Sequence, residues 1–215
     1  MERSMKQVQH FIWDLDGTLL DTYPAIISDL RAALREFGHD CDPVEAMELM
    51  LVNISNAATH YAKKFGLDYD TLMDVYHGIH NKTITGLTAK PMEGAKEVLE
   101  AICESGRHNY IFTHRRDSET AEYLKKYGLD VCFRDIVGQE SHHFAWKPAP
   151  DAVLYLMEKY GMEPENTVMV GDRERDLGSG RSAGIGTVHY VCSVVPQQLE
   201  CNWRVESFRQ MLEML

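Results

Sequence analysis

The sequence contains no apolar run near the ~18 residues that a membrane span needs. It has no Cys-x-x-Cys pair and no Gly-x-x-x-x-Gly-Lys-Ser/Thr. The first absence argues against a spanning helix. The second argues against a zinc or dithiol site: the five cysteines (Cys41, Cys103, Cys132, Cys192 and Cys201) are scattered and odd in number, and read as reduced thiols in a cytoplasmic protein. The third excludes a P-loop nucleotide hydrolase. Basic residues are also scarce, with 22 Lys and Arg against 33 Asp and Glu and a formal net charge of −11. General nucleic-acid binding, which needs basic surface to displace counterions, is disfavoured. A small phosphorylated ligand is not, because a few local cations suffice for it. Residues 1–9 are polar and lack the apolar core of a signal peptide, so a cytoplasmic location is expected and the sequons Asn53-Ile-Ser55 and Asn81-Lys-Thr83 read as chance matches.

What is present suffices for a large apolar core: 215 residues, 44% of them hydrophobic. Short apolar runs at 8–13, 108–113, 131–137, 167–170 and 187–191 read as buried strands. Helical stripes lie between them at 95–104, at 118–127 with Ser118 as cap, and at 151–160, each followed within two residues by glycine. This alternation predicts an α/β fold with a doubly wound parallel sheet. One region breaks it. The segments 25–37, 43–52, 55–65 and 69–82 are all helical in pattern, which predicts an all-helical insertion over 21–85 within a core formed by 1–20 and 86–215. A last amphipathic helix is expected over 205–215. Met47, Met50 and Met73 read as flexible core filler.

The chemistry begins where the first strand ends, in Asp14-Leu-Asp16-Gly17-Thr18. In an extended segment residues i and i+2 face the same way, so Asp14 and Asp16 are expected together at the carboxyl end of the strand, where open α/β sheets bind ligands. Paired carboxylates repel unless a cation or a shared proton intervenes, and Mg²⁺, a hard ion preferring oxygen ligands, suits them. Taken alone, the segment also fits a solvated Asp-Gly turn. Three further features favour chemistry. A second strand ends in Thr113, followed by His114 and Arg115; Lys147 precedes a Pro-Ala-Pro turn that opens a helix; and a third strand ends in Gly171-Asp172, with Asp176 four residues on.

Taken together and in this order, the motifs resemble the haloacid dehalogenase superfamily, and the segments Pro91-Met-Glu-Gly94 and Lys147-Pro-Ala-Pro-Asp151 are similar to its phosphoglycolate-phosphatase-like members. The resemblance spans Phe11 to about Val191 and makes the helical insertion the family's cap. It implies a Mg²⁺-dependent phosphatase of a small phosphorylated metabolite, acting through an aspartyl-phosphate. Asp14 would be the nucleophile and Asp16 the general acid and base. Thr113, His114, Arg115 and Lys147 would contact the substrate. Mg²⁺ would be held by Asp14, the backbone carbonyl of Asp16, and Asp172, with Asp176 supporting the ion's waters and Lys147. An Asp at position 16 disfavours dehalogenation. The alternatives are a sugar-phosphate mutase using the same intermediate and a non-catalytic phospho-ligand regulator. Arg173 stands where many relatives have Ser or Thr, which could alter substrate contacts; Arg115 is expected to touch the leaving group.

Several features read as decoys. His142-His143 is a loop pair rather than a chelate. The glycines of Gly178-Ser-Gly180 imitate a dinucleotide motif but read as close helix packing. Trp146 reads as core. Tyr23, Asn53 and Ser55 are expected near the opening of the site.

Overall fold

The computed structural model describes residues 4–85, 89–141, 143–191 and 198–215, leaving aside the side chains of 83–85. His142 and Cys192 therefore lie outside the described residues. In chain order the strands are β1 His10–Trp13, β2 Leu20–Asp21, β3 Lys90–Pro91, β4 His108–Phe112, β5 Phe133–Val137, β6 Thr167–Gly171, β7 Gly186–Tyr190 and β8 Trp203–Val205. The helices are α1 Tyr23–Glu36, α2 Pro43–Met50, α3 Ile54–Phe65, α4 Tyr69–Thr85, α5 Ala95–Glu104, α6 Asp117–Tyr127, α7 Asp151–Tyr160, α8 Glu174–Ser182 and α9 Phe208–Met214.

By compactness the chain divides into two units, Met1–Leu20 with Pro91–Leu215, and Asp21–Lys90. The first carries a six-stranded sheet of order β5-β4-β1-β6-β7-β8, in which every pairing is parallel. The strands read as continuous apolar runs because helices cover both faces. On one face Ile12, Tyr110, Phe112 and Met169 pack against Ala152, Val153 and Leu156 of α7. On the other, Phe208 of α9 meets the edge of the Trp13 ring at 5.9 Å and stacks on Tyr190 at 4.5 Å. The indole N–H of Trp13 is satisfied by Asn109 Oδ1 at 2.8 Å, inside the core.

The pair Gly178 and Gly180 acts in packing, as expected. A Cβ on Gly180 would stand 2.8 Å from Met169 Cβ and 3.0 Å from Thr187 Cγ2, and one on Gly178 would stand 2.9 Å from Pro148 Cβ. Gly180 lets α8 lie directly on β6 and β7, and Gly178 lets it approach Pro148. Gly180→Ala should therefore destabilise the protein by about 1–3 kcal/mol through overpacking, although alanine is the better helix former. Thermal unfolding measures this, and an unchanged or raised Tm would show that α8 has room to shift.

The second unit consists of α1–α4. Asp42 caps α2, accepting from the N–H groups of Val44 and Glu45. Asn53 caps α3, accepting from the Asn56 N–H at 2.7 Å. Met47, Met50 and Met73 are buried, as filler should be. Asp29 on α1 and His80 on α4 form a mostly buried 2.7 Å pair.

Three details differ from expectation. The C-terminal segment is not one helix: Trp203–Val205 adds a strand to the sheet, and α9 starts at Phe208 behind Ser207, whose side chain accepts from the Gln210 N–H. A three-residue strand is too short to declare a period. Ser118 does not cap α6, because its N–H and hydroxyl both bind the Glu140 carboxylate. Trp146 is not core; it is 59% exposed, with its ring edge-on to His114.

Candidate active site

The site is assembled at the carboxyl ends of β1, β4 and β6, three adjacent strands, all within the first unit. Asp14 follows β1 directly, and its N–H donates to Val170 O at 2.9 Å, prolonging the pairing with β6 by one residue. The chain then turns sharply. Leu15 O accepts from Thr18, Leu19 and Leu20, and Gly17 sits at φ +83°, a conformation that a side chain would strain. The turn begins at Leu15, two residues before Gly17. Asp14 and Asp16 acquire different partners.

Asp14 belongs to a buried carboxylate cluster with Asp172 and Asp176, whose ligand oxygens lie within 4.8 Å of one another. Lys147 Nζ, itself 1% exposed, donates to Asp14 Oδ1 at 2.6 Å and to Asp176 Oδ1 at 3.0 Å. The Phe112 ring lies 4.6 Å from the same ammonium. The Thr18 hydroxyl lies between Asp14 Oδ2 (3.4 Å) and Asp172 Oδ1 (3.2 Å), within donating reach of either. Asp176, in the first turn of α8, accepts the Arg173 N–H on Oδ2 at 3.0 Å. Gly171 permits this approach, since a Cβ there would stand 2.3 Å from Asp176 Cβ.

The electrostatics follow from burial and shared charge. Burial, reinforced by the Asp176 charge, pushes the Asp14 carboxyl up to about 6, against the pull of Lys147. Burial alone would raise Asp176 as well; Lys147, then the Arg175 and Arg173 guanidiniums, bring it below the ordinary carboxylate range. Two buried acids on one ammonium thus settle unequally. The Arg173 guanidinium is also buried, with Nε 3.9 Å from Asp172 Oδ2.

The other expected residues fall nearby. Thr113 is buried at the end of β4, its N–H donating to Val137 O and its Oγ1 accepting the Arg115 N–H at 3.1 Å. His114 accepts the Lys147 backbone N–H on Nε2 at 2.9 Å. Burial, then the Lys147 charge, push its imidazole down to about 3, so it is neutral at pH 7. Its visible task is to hold the Lys147 loop. Thr113, His114, Phe144 and Trp146 help to line a cavity of about 320 Å³. Asp16 is engaged by Arg115, from Nη2 at 2.7 Å and Nε at 3.2 Å. Of the residues expected at the opening, Tyr23 is buried and Asn53 is a helix cap.

Three contributors escaped the sequence reading: the Thr18 hydroxyl, the Phe112 ring, and His114 as a loop anchor. The Asp-Gly-Thr run was a signal for the first, since a hydroxyl four residues past Asp14 returns to it only through the turn. An oxygen-only set of three buried carboxylates suits a hard divalent cation better than a soft one.

Comparison with known proteins finds relatives along nearly the whole chain. A phosphoglycolate phosphatase of Haemophilus influenzae is 28% identical over 223 residues, covering 94% of this chain and 96% of its own. An N-acetylmuramic acid 6-phosphate phosphatase of Pseudomonas aeruginosa is 29% identical over 188 residues, covering 82% and 78%. The crystal structure of a predicted phosphoglycolate phosphatase from Haemophilus somnus superposes with a TM-score of 0.82 at 22% identity, over 96% of this chain and 97% of that one. The family model for haloacid dehalogenase-like hydrolases matches residues 11–190, from the strand that delivers Asp14 to the last residue of β7. With the sheet order, the buried carboxylates and that match in agreement, the chain belongs to the haloacid dehalogenase-like hydrolase family.

Proposed function

We propose that the protein is a Mg²⁺-dependent phosphatase that hydrolyses a small phosphomonoester through an aspartyl-phosphate on Asp14. The observation that carries this reading is Lys147, a buried ammonium shared by Asp14 and Asp176. Phosphoryl transfer requires mainly positioning and neutralisation of charge, and a fixed cation against a buried carboxylate provides both. Asp14 and Asp172 would hold the ion with the main-chain carbonyl of Asp16, and Asp176 would support it. When bound, Mg²⁺ supplies positive charge to the phosphoryl oxygens.

In the first step an Asp14 oxygen attacks phosphorus. The bond to the leaving oxygen breaks, and Asp16 gives that oxygen its proton. In the second step water attacks the same phosphorus while Asp16 takes the water's proton. The Asp14–phosphorus bond breaks, and inorganic phosphate leaves. Thr113 and Lys147 bind the phosphoryl group in both steps. The names of the curated relatives support a small organic phosphate as substrate. Free thiols at Cys41, Cys103, Cys132 and Cys201 suit a cytoplasmic setting, and no helix among the described residues is long and apolar enough to cross a membrane.

A phosphate-release screen over a metabolite panel tests the reading. Release from at least one compound, abolished by EDTA and restored by Mg²⁺, is expected. Silence on aryl phosphates and on the whole panel with Mg²⁺ would sink it. An isomerised sugar phosphate without free phosphate would select the mutase instead.

A further inference from the structure

Asp16 stands only two residues from Asp14, and its charge is felt there. Its carboxylate is 23% exposed and would be a fourth oxygen donor for a divalent ion held by Asp14, Asp172 and the Asp16 main-chain carbonyl. A carboxylate bound to such an ion cannot serve as acid and base, so something must hold Asp16 elsewhere. Arg115 is placed to do so. It grips Asp16 with two nitrogens, a fork geometry stronger and more directional than a single contact. Its side chain is only 7% exposed. Glu119 lies 3.6 Å from Nη1, and the Tyr123 ring lies 5.5 Å from the guanidinium carbon. Its own N–H is bound to Thr113 Oγ1, which ties the clamp to the end of β4.

We propose that Arg115 is a positioning residue, holding the Asp16 carboxylate off the Asp14–Asp172–Asp176 cluster so that it is not taken up as a metal ligand. The inference rests on the reading of Asp16 as acid and base, and it revises the expectation that Arg115 touches the leaving group. Arginine suits the task better than lysine because a point charge would leave the carboxylate free to rotate.

The test is a double-mutant cycle read by Mg²⁺ binding rather than by turnover. Mg²⁺ is titrated calorimetrically into metal-stripped wild type, Arg115→Ala, Asp16→Asn and the double variant. Arg115→Gln is run alongside because it keeps most of the buried stem should alanine fail to fold. Releasing Asp16 should tighten Mg²⁺ binding by about tenfold, and the same substitution in the Asp16→Asn background should change it less than twofold. Equal tightening in both backgrounds would mean that Arg115 acts only as a nearby charge, and no tightening in either would mean that Asp16 stays put. Both results overturn the proposal. On whichever panel compound the wild type hydrolyses, Arg115→Ala should lower kcat by roughly a hundredfold. KM should stay within twofold, and Arg115→Lys should recover part of the rate. A raised KM at constant kcat would return Arg115 to the substrate. If the wild type releases no phosphate from any compound, the phosphatase reading fails, and the Mg²⁺ cycle still decides the role of Arg115.

Discussion

Asp14→Asn is expected to fold and to release phosphate about 10⁴-fold more slowly than wild type on the same compound. The loss has no bypass, because among the described residues no other carboxylate directly after β1 binds Lys147. Asp16 is held by Arg115, and Asp176 by Lys147 and the Arg173 N–H. Near pH 4, where Asp14 is largely uncharged in the folded protein, stability should move little, within about 3 °C of Tm, since the amide oxygen still accepts from Lys147 and Asp176 still balances the ammonium. The pH dependence has a definite sign. Burial holds the folded Asp14 carboxyl near 6, above the ordinary 3.8. Its ionisation therefore opposes folding, by an amount absent below 3.8 that grows as pH rises toward 6 and then stays constant. In EDTA, Asp14→Asn should gain stability relative to wild type between pH 4 and pH 7. Phosphate assays with paired melting curves measure both effects. A substantially active Asp14→Asn protein would end the nucleophile assignment.

Lys147→Met should be the most damaging substitution to stability. The side chain occupies a fully enclosed position, and its removal leaves Asp14 and Asp176 buried against each other without their shared cation. Breaking a buried pair in this way costs about 3–5 kcal/mol, which lowers Tm by roughly 10 °C for a chain of this size. Methionine fills nearly the same space over the Phe112 ring, so the loss measures charge rather than volume. Two signatures accompany it. Added Mg²⁺ should restore part of the lost Tm, because the cation replaces the missing charge. Phosphate release should remain low even in saturating Mg²⁺, because the ammonium is also needed at the phosphoryl oxygens. A Lys147→Met protein as stable as wild type in EDTA would show that the two carboxylates share a proton instead.

Much of this architecture was legible in the amino-acid sequence. β1 announced itself because an apolar run passes straight into Asp14, and the strand endings at Thr113 and Gly171 did so for the same reason. Local geometry was the weak point. The i, i+2 rule needs an extended chain, and β1 ends at Trp13, three residues before Asp16. Arg115 was visible as a departure from the commonest pattern, but its partner lies 99 residues away, and no spacing rule pairs residues at that distance. Trp146 was misread because a large indole beside a buried lysine is ordinarily core; here it lies on the outer side of His114. Ser118 had the residue type of a cap but found a stronger acceptor in Glu140. In each case a tertiary contact overrode a sound local preference.

The position of β1 in the middle of the sheet has a consequence for how the protein is made. It is the first strand in the chain, yet its neighbours begin at His108 and Thr167. At synthesis rates of about 5–20 residues per second, β1 waits roughly 5–20 s after emergence before its first partner exists. Throughout that interval an apolar edge with unsatisfied backbone groups is open to wrong pairing. The links that complete the site reach further still, joining Asp14 to Lys147 across 133 residues and Thr18 to Asp172 across 154. A nascent chain stalled before β6 therefore carries the nucleophile and Lys147 but neither Asp172 nor Asp176, and the site residues are complete only when α8 has been made.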